Sequence, residues 1–237
     1  MFDIDVYGGI GDSFDEDGVT AASFVKALRE ANGDDVTIHV NSSGGSVFDA
    51  NTMAEALRGY KGRTVASIEG LAASAASYFA LTADEVVINP TALMMIHNPW
   101  DIEIGDAEDM RKKADMLDKA RATISAQYAR KTGHDVSEIE RKMDEETWFD
   151  ASEAVEYGLA DRMSDSAPIA ACIKMEDVKR FRNAPKSLLT SDEEKPAGDA
   201  GKIIETANEE KPARESCEVE AESATRTVCV NGQFLTY

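Results

Sequence analysis

The sequence predicts an α/β fold in which buried parallel strands alternate with helices. Short runs rich in Val and Ile recur along the first part of the chain, which is typical of strands buried on both faces. Helical patterns of about 10 to 15 residues lie between these runs, as in the crossover connections of a parallel sheet. In sheets of this kind, functional groups gather where the strands end.

The individual elements follow from apolar periodicity and from start and stop signals. The predicted strands cover residues 4–7, 36–40, 64–68, 86–88 and 93–96. The predicted helices cover residues 19–31, 47–57, a stretch that begins near Ser74, and residues 106–132, 136–143 and 151–157. Gly33, Gly133 and Gly158 lie just past three of these helices, where glycine is a common stop, and Asp150 is a good N-cap.

The predicted helix 106–132 is unusually long. With a rise of about 1.5 Å per residue it spans roughly 40 Å, which is more than a compact domain of this size needs. Its apolar residues form one stripe that includes Met110, Leu117 and Tyr128. We therefore expect the helix to protrude or to pack on a partner subunit; the alternative is an ordinary helix that covers the core.

The chain is predicted to hold one domain followed by an appendage. The regular pattern occupies residues 1–165, and a connecting segment at 166–189 contains a candidate basic helix at 173–181. Residues 190–237 are acidic and rich in Glu, Lys, Ala, Ser and Pro, a composition that predicts a disordered tail. The tail ends in Asn231-Gly232 between apolar residues, which is typical of a small hairpin or a peptide signal.

Charge and cysteine content exclude several classes of function. The 237 residues include 45 acidic side chains against 25 Lys and Arg, a net charge of −20 that disfavours nucleic acid and anionic membranes as partners. The three Cys show no C-x-x-C spacing, so we expect no disulfide framework, no metal site and no cofactor. Neither a signal peptide nor an apolar run of membrane-spanning length is present, so we expect a cytoplasmic protein.

Only three histidines are available as a catalytic base. His39 lies inside a predicted strand and is expected to be packed against its neighbours. His134 lies in a turn before a helix and is expected to be a solvated surface residue. His97 directly follows the apolar run 93–96, at the carboxyl end of a buried strand, which is the usual position for a catalytic group in an open α/β sheet.

Ser74 is the candidate nucleophile. Residues 70–77 are almost all small, follow a predicted strand and lead into a buried helix, so a substrate backbone can come close to Ser74. A helix N-terminus also offers unpaired N–H groups that suit an oxyanion. The alternative is that Ser74 only caps a helix of small residues.

Paired glycines form a third candidate feature. Gly44 and Gly45 lie in residues 41–47, which join a strand to a helix, and their backbone amides can turn toward a ligand. A phosphate-binding loop is the competing interpretation, but the Gly-Lys-Ser/Thr of a P-loop and the three-glycine dinucleotide fingerprint are both missing. An oxyanion or peptide-backbone cradle fits the segment better.

A glycine turn, a serine at a helix start and a histidine at a strand end, in that order, suggest a serine–histidine pair with an oxyanion donor. Over about residues 2–163 the chain resembles the Clp-type serine peptidases, and among them the phage ClpP-like head maturation (prohead) proteases. The matching segments are Asn41-Ser42-Ser43-Gly44-Gly45, Gly70-Leu71-Ala72-Ala73-Ser74, Met95-Ile96-His97-Asn98-Pro99 and Ala151-Ser152-Glu153-Ala154-Val155-Glu156-Tyr157-Gly158-Leu159.

This resemblance implies a crotonase/ClpP-like fold of repeated ββα units with a long, protruding handle helix. It implies Ser74 as nucleophile and His97 as general base. The backbone N–H groups of Gly45 and Ala75 would form the oxyanion hole. The substrate would bind as an added strand along the segment after Gly45, with Gly44 and Ser46 among the substrate-binding residues.

The acidic member of the triad is less clearly marked. The family's housekeeping branch has Asp two residues before the aromatic residue that precedes its Ala-x-Glu-Ala motif, and this chain has Glu146 there, before Thr147 and Trp148. Asp144 is the alternate acid. If residues 144–146 are simply a solvated acidic turn, a two-residue serine–histidine site remains.

The resemblance further implies an endopeptidase that cleaves scaffold and capsid proteins of an assembling phage head, in the host cytoplasm or within the prohead. Homo-oligomeric rings, stacked through the handle helix, are expected. Because the chain begins almost at the first strand, without the loop that meets an unfoldase ATPase, we expect ATP-independent activity. The alternatives are an acyl-CoA hydratase or isomerase of the crotonase superfamily and a non-catalytic ring-forming assembly protein.

Overall fold

A computed structural model describes residues 2–11, 18–165, 178–185, 188, 227–230 and 233–236. The chain divides into two compact units, Met1–Glu193 and Glu194–Tyr237. The strands are β1 (Phe2–Ile10), β2 (Val36–Gly45), β3 (Thr64–Ala73), β4 (Glu85–Ile88), β5 (Leu93–Ile96), β6 (Thr147–Phe149), β7 (Arg162–Met163), β8 (Thr227–Val230) and β9 (Gln233–Thr236). The helices are α1 (Ala21–Glu30), α2 (Val47–Arg58), α3 (Ala75–Ala80), α4 (Ala107–Thr132), α5 (Val136–Asp144) and α6 (Ala151–Glu156).

The first seven strands form one mostly parallel sheet. β1, β2, β3, β4 and β7 lie side by side in that order, and all of these neighbours are parallel. β5 pairs in parallel with the carboxyl end of β3, and β6 pairs with β5 in antiparallel orientation. The α/β class predicted from the alternating pattern is therefore confirmed.

Strands β2 and β3 are twice as long as their apolar runs predict. The register between them shifts after Val40, and β2 then continues through the polar and glycine-rich residues to Gly45. Strand β3 pairs with β4 through residues 65–68 and with β5 through residues 71–73. Strand β3 thus pairs with two neighbours in succession, whereas β2 keeps β1 and β3 as its neighbours. The segment after Val40 was predicted as a connection because backbone pairing does not require apolar side chains.

The main core lies between the sheet and its helices. Alternate residues of β3, such as Ala66, Ile68 and Ala72, face this core, and Phe24 of α1 packs edge-on against Phe79 of α3 at 5.1 Å. A second, smaller core lies on the other face of the sheet, because the intervening residues of β3 point away from the helices. It occurs at the carboxyl ends of β3 and β5.

Helix α4 protrudes, as predicted. Its buried residues are confined to Ile124–Tyr128, near its carboxyl end, and none of the preceding residues of the helix is buried. Asp106 caps its first turn and Gly133 ends it in the left-handed conformation with φ 77°. Met110, on the predicted apolar stripe, is 44% exposed.

Within the described residues, no helix is long and apolar enough to cross a bilayer.

The carboxyl-terminal predictions are only partly covered by the structure. Strands β8 and β9 pair in antiparallel orientation, and Asn231-Gly232, where the turn is predicted, lies outside the described residues. Most of the connecting segment 166–189, including residues 173–177 of the predicted basic helix, and the tail residues 190–226 lie outside the described residues. Strands β6 and β7, of three and two residues, were missed because so few residues show no periodicity.

Candidate active site

Ser74 occupies a sharp turn between β3 and α3. Its backbone has φ 56° and ψ −124°, a conformation that residues other than glycine rarely adopt. The Ser74 N–H donates to the carbonyl of Met95 at 2.9 Å, which ties the turn to the neighbouring strand. Its hydroxyl makes no capping hydrogen bond to α3, so the interpretation of Ser74 as a simple helix cap is wrong.

His97 lies directly beside Ser74. Ala73 and Met95 are register partners of the parallel pair β3 and β5, so the residues that follow each strand emerge at the same edge of the sheet. The distance from His97 Nε2 to Ser74 Oγ is 2.7 Å, within the range of a hydrogen bond. The structure therefore brings together the two residues that the sequence singled out independently.

Ser77 holds the Ser74 turn from within the core. Its hydroxyl is fully buried and lies 2.8 Å from the Ser74 carbonyl, 2.9 Å from the Met95 carbonyl and 2.7 Å from the Tyr128 hydroxyl. Tyr128 belongs to α4, so one hydroxyl connects the turn, β5 and the handle helix. A buried hydroxyl with such partners stabilises the strained backbone on which Ser74 depends.

The imidazole of His97 is held in its neutral form. Burial lowers the pKa of His97 to about 4; the negative charge of Glu146 opposes this shift, and the positive charges of Arg180 and Arg182 add to it. The ring of Phe181 packs edge-on against the imidazole at 5.4 Å. A neutral imidazole can accept the proton of Ser74 at neutral pH, although a base with so low a pKa is weak.

Glu146 is buried near His97, and Asp144 is not. Glu146 is 4% exposed and stands in the left-handed region with φ 50°, just before β6. Its charge acts on His97, whereas the carboxylate of Asp144 bonds the Asn98 side chain at 2.7 Å and pairs with Arg121 at 3.1 Å on the surface. The geometry thus favours Glu146 over Asp144 as the acidic member.

The paired glycines lie against the Ser74 turn. A Cβ on Gly44 would come within 2.6 Å of the Ala73 carbonyl and 2.8 Å of the Ala75 nitrogen. A Cβ on Gly45 would come within 2.2 Å of the Ile10 carbonyl. Both positions require glycine, because β2 passes this close to the turn that carries the serine at Gly44 and to the end of β1 at Gly45.

A groove leads away from this site. It has a volume of about 450 Å³ and begins at Gly45 and Ser46, then runs between the start of α2 and the middle of α4. Phe48 and Trp100, which line it, are 69% and 50% exposed. Its volume lies within the range that is usual for ligand-binding clefts.

Comparisons with known proteins agree with this geometry. The family model described as Clp protease matches residues 3–167. The chain belongs to the Clp protease family. Among curated relatives, proteolytic subunit 1 of the ATP-dependent Clp protease of Streptomyces coelicolor is 32% identical over 129 residues, covering 54% of this chain and 59% of that protein. The corresponding subunit 1 of Prochlorococcus marinus is 31% identical over 137 residues, covering 57% of this chain and 70% of that protein.

A solved structure supports the fold of this Clp protease family member. A ClpP1 mutant from Listeria monocytogenes superimposes with a TM-score of 0.61 at 24% identity, covering 69% of this chain and 91% of that chain. The ClpP-like fold is therefore confirmed. The chain spans 59% of the length of the first curated relative, and the family match does not favour an acyl-CoA hydratase or a non-catalytic ring component.

The other two histidines, His39 and His134, lie apart from the site formed by Ser74 and His97. His39 contacts Glu69 at 2.7 Å and Asp3 at 3.4 Å on the open face of the sheet. Burial disfavours its charge, but the two carboxylates outweigh burial and raise the pKa of His39. His134 stacks on Tyr157 with ring centroids 4.1 Å apart. Both positions agree with the non-catalytic interpretation of these residues.

Two features of the site were not predicted from the sequence. From the sequence, Ser77 is the next candidate nucleophile after Ser74, but its contacts with the Ser74 turn, β5 and α4 are not predictable, although a serine within an otherwise apolar helix is a usable signal. The segment around Phe181 was treated as part of a connecting region, and no short motif marks its contact with His97. Within the described residues, no cluster of three His, Cys, Asp or Glu side chains is placed to bind a metal ion.

Replacing Gly44 with alanine should damage both the fold and the reactivity of Ser74. We expect a loss of about 1–3 kcal/mol of unfolding free energy from the positive φ and a larger loss from the contacts with Ala73 and Ala75. The matched control is Gly33→Ala, since Gly33 also has a positive φ of 94° but nothing within 4 Å of its added Cβ. Thermal unfolding and labelling by a fluorophosphonate probe would compare them; equal effects of the two variants would contradict this account.

Proposed function

We propose that this chain is a serine endopeptidase in which Ser74 is the nucleophile and His97 the general base. The observation that carries the proposal is the 2.7 Å contact between Ser74 Oγ and His97 Nε2, next to a groove that suits an extended peptide. The strained turn at Ser74 presents the hydroxyl, and the residues that follow it at the start of α3 are small. This is the arrangement that acyl transfer requires.

In the proposed mechanism, His97 Nε2 takes the proton of Ser74 as Oγ attacks the scissile carbonyl carbon. The negative charge that develops on the carbonyl oxygen is stabilised by the backbone N–H groups of Gly45 and Ala75. The imidazolium then gives its proton to the leaving amine as the C–N bond breaks, which leaves an acyl-enzyme on Ser74. A water molecule, deprotonated by His97, releases the acyl group and regenerates the serine.

Glu146 is proposed to stabilise the imidazolium and to orient the ring. In chains that also carry Phe181→Ala, which uncovers His97, we expect Glu146→Gln to lower the labelling rate of Ser74 by about 100-fold or more, since the replacement removes the negative charge but preserves the shape of the side chain. The matched variant Asp144→Asn should change the rate by less than about threefold, because Asp144 is exposed and pairs with Arg121. A larger loss in Asp144→Asn than in Glu146→Gln would reverse the assignment.

The proposed substrates are scaffold and capsid proteins of an assembling phage head, cleaved in the host cytoplasm or within the prohead. The support is the resemblance of four sequence segments to head maturation proteases. We further propose that the chain works without an ATPase and forms homo-oligomeric rings that stack through α4, since the apolar residues on the exposed half of α4 remain uncovered in one chain. A ring would also bring several active sites into one enclosed space.

The test is co-expression with the neighbouring scaffold and capsid genes, followed by intact-mass measurement of all products. We expect shortened scaffold or capsid chains with the unchanged sequence and full-length chains with Ser74→Ala. The tail from about Thr190 should also be trimmed only when Ser74 is present. Full-length scaffold and capsid chains in both cultures would contradict the proposed phage substrates. Ser74-dependent cleavage of an unrelated protein in the same experiment would still support the proposed peptidase activity.

A further inference from the structure

A short segment of the chain packs beside the proposed catalytic residues, which remain partly exposed. Residues 178–183, here called the strap, pack on the second face of the sheet, over the ends of β3 and β5. Val178 and Phe181 are 1% and 7% exposed, and they complete the smaller core with Leu71, Ala73 and Met95. The strap is therefore anchored by burial of apolar surface as well as by polar contacts.

Phe181 is the part of the strap that lies nearest the base. The centroid of its ring lies 5.4 Å from that of the His97 imidazole and 5.7 Å from that of the Trp148 ring, with edge-on packing in both cases. The guanidinium of Arg180, the preceding residue, donates hydrogen bonds to the carbonyl and to the hydroxyl of Ser43, each at 3.0 Å. The strap thus bridges β2 and the imidazole, and it spans the site between them.

The backbone of the strap also forms hydrogen bonds with the carboxylate of Glu146, the proposed acidic member of the triad. The N–H groups of Arg182 and Asn183 donate to the two carboxylate oxygens of Glu146, at 2.9 and 2.6 Å, and Trp148 Nε1 lies 3.3 Å from one of them. Within the part of the chain that the structure describes, no hydrogen bond joins Glu146 to His97. The carboxylate that should orient the imidazole is bonded to the strap instead.

Little space remains at the nucleophile while the strap is in place. One cavity beside Ser74 and His97 has a volume of about 10 Å³, and another, lined by Gly45, Ser74, Trp100, Arg180 and Phe181, has about 30 Å³. These volumes accommodate roughly one water molecule each and no amino-acid residue. The groove of about 450 Å³ ends where this closed region begins, because Gly45 and Trp100 line both.

We propose that the strap is an autoinhibitory element: it closes the nucleophile end of the peptide groove, retains Glu146, and must leave before a peptide reaches Ser74. This inference rests on the proposed peptidase function. The charges of the strap act in the same direction as its bulk, since Arg180 and Arg182 both lower the pKa of the base. Departure of the strap would raise the pKa of His97 and free the Glu146 carboxylate.

The test compares the rate of Ser74 labelling by a fluorophosphonate probe in full-length variants. Phe181→Ala removes the ring that covers His97, and Arg180→Ala removes the contacts with Ser43. Each should label at least about tenfold faster than the unchanged chain, because the reactive open state is populated more often. The matched control is Lys179→Ala, an exposed strap residue, which should leave the rate unchanged.

Two further measurements separate the possible outcomes. Trypsin should cut the strap faster in Phe181→Ala than in the unchanged chain, because the three basic residues of the strap become accessible when the strap is open. In Arg180→Ala, the fall in the Ser74 labelling rate at acid pH should move to higher pH, because Arg180 lowers the pKa of His97. If Phe181→Ala unfolds, as its lost burial allows, Arg180→Ala alone decides. Slower labelling in a folded variant would show that the strap supports the site and would overturn the proposal. Ser74 labelling at an unchanged rate would also overturn it while leaving the peptidase intact.

Discussion

Replacing Ser74 with alanine should lower hydrolysis of labelled casein by at least about 1,000-fold, since no acyl-enzyme can form without the serine oxygen. The fold should be unaffected, because the Ser74 hydroxyl makes no capping bond and its contact is with His97. The positive φ at this position is already borne by a residue with a Cβ, so alanine adds no new backbone strain. A large loss of activity with an unchanged melting temperature is the expected result.

The matched control for this variant is Ser137→Ala, an exposed serine near the start of α5. It should retain full activity. The comparison should be repeated with Phe181→Ala in each chain, so that a closed strap does not conceal the difference. If Ser74→Ala retains activity, Ser77 becomes the next candidate, although its hydroxyl is buried against two carbonyls.

His97→Ala should cause a comparable loss, of about 1,000-fold or more in the rate of Ser74 labelling, because a serine hydroxyl without a base is a poor nucleophile. The pH profile gives a second and more specific result. A base acts in its neutral form, so labelling of the unchanged chain should fall as the pH drops through the pKa of His97, near 4. His97→Ala should remove this acid limb. Burial is the main cause of the lowered pKa of His97; the charge of Glu146 opposes it, and the charges of Arg180 and Arg182 add to it.

The matched control for the base is His134→Ala. His134 stacks on Tyr157 and contacts Glu138, away from the sheet edge that holds Ser74. This variant should label at the rate of the unchanged chain and keep the same acid limb. An acid limb that persists in His97→Ala, or disappears in His134→Ala, would show that another group is the base.

The fold was largely predictable because its strands are buried. In the runs at residues 36–40 and 64–68 every second residue is buried, and the helices between them have clear periodicity. What periodicity could not show is that β2 continues to Gly45, because its later residues pair through their backbone and are small or polar. Strand β7 is too short to leave any pattern.

The serine and the histidine could be placed from sequence for a related reason. Both follow buried strands, and parallel neighbours end at the same edge of a sheet, so Ser74 and His97 were expected to meet. The choice between Glu146 and Asp144 could not be made this way, since both lie in one acidic run. Burial of Glu146 and the surface pairing of Asp144 depend on how α5 joins β6.

The contact of the strap with the active site left no signal in the sequence. Phe181 is one aromatic residue in a basic stretch, and its target is 84 positions earlier in the chain. Alternation along β3 offered a partial clue, because Leu71 and Ala73 are apolar and belong to the smaller core, on the other face from Ala66, Ile68 and Ala72. A segment from elsewhere in the chain or a partner had to bury them.

The most direct test of the central claim is to locate a fluorophosphonate adduct by peptide mass spectrometry of the full-length protein and of Phe181→Ala. The account predicts a single adduct on Ser74 in both, formed faster in the variant, and none when His97 is replaced with alanine at the same exposure time. An adduct on Ser77 or another serine, or no adduct in either protein, would contradict the assignment of Ser74 as the nucleophile.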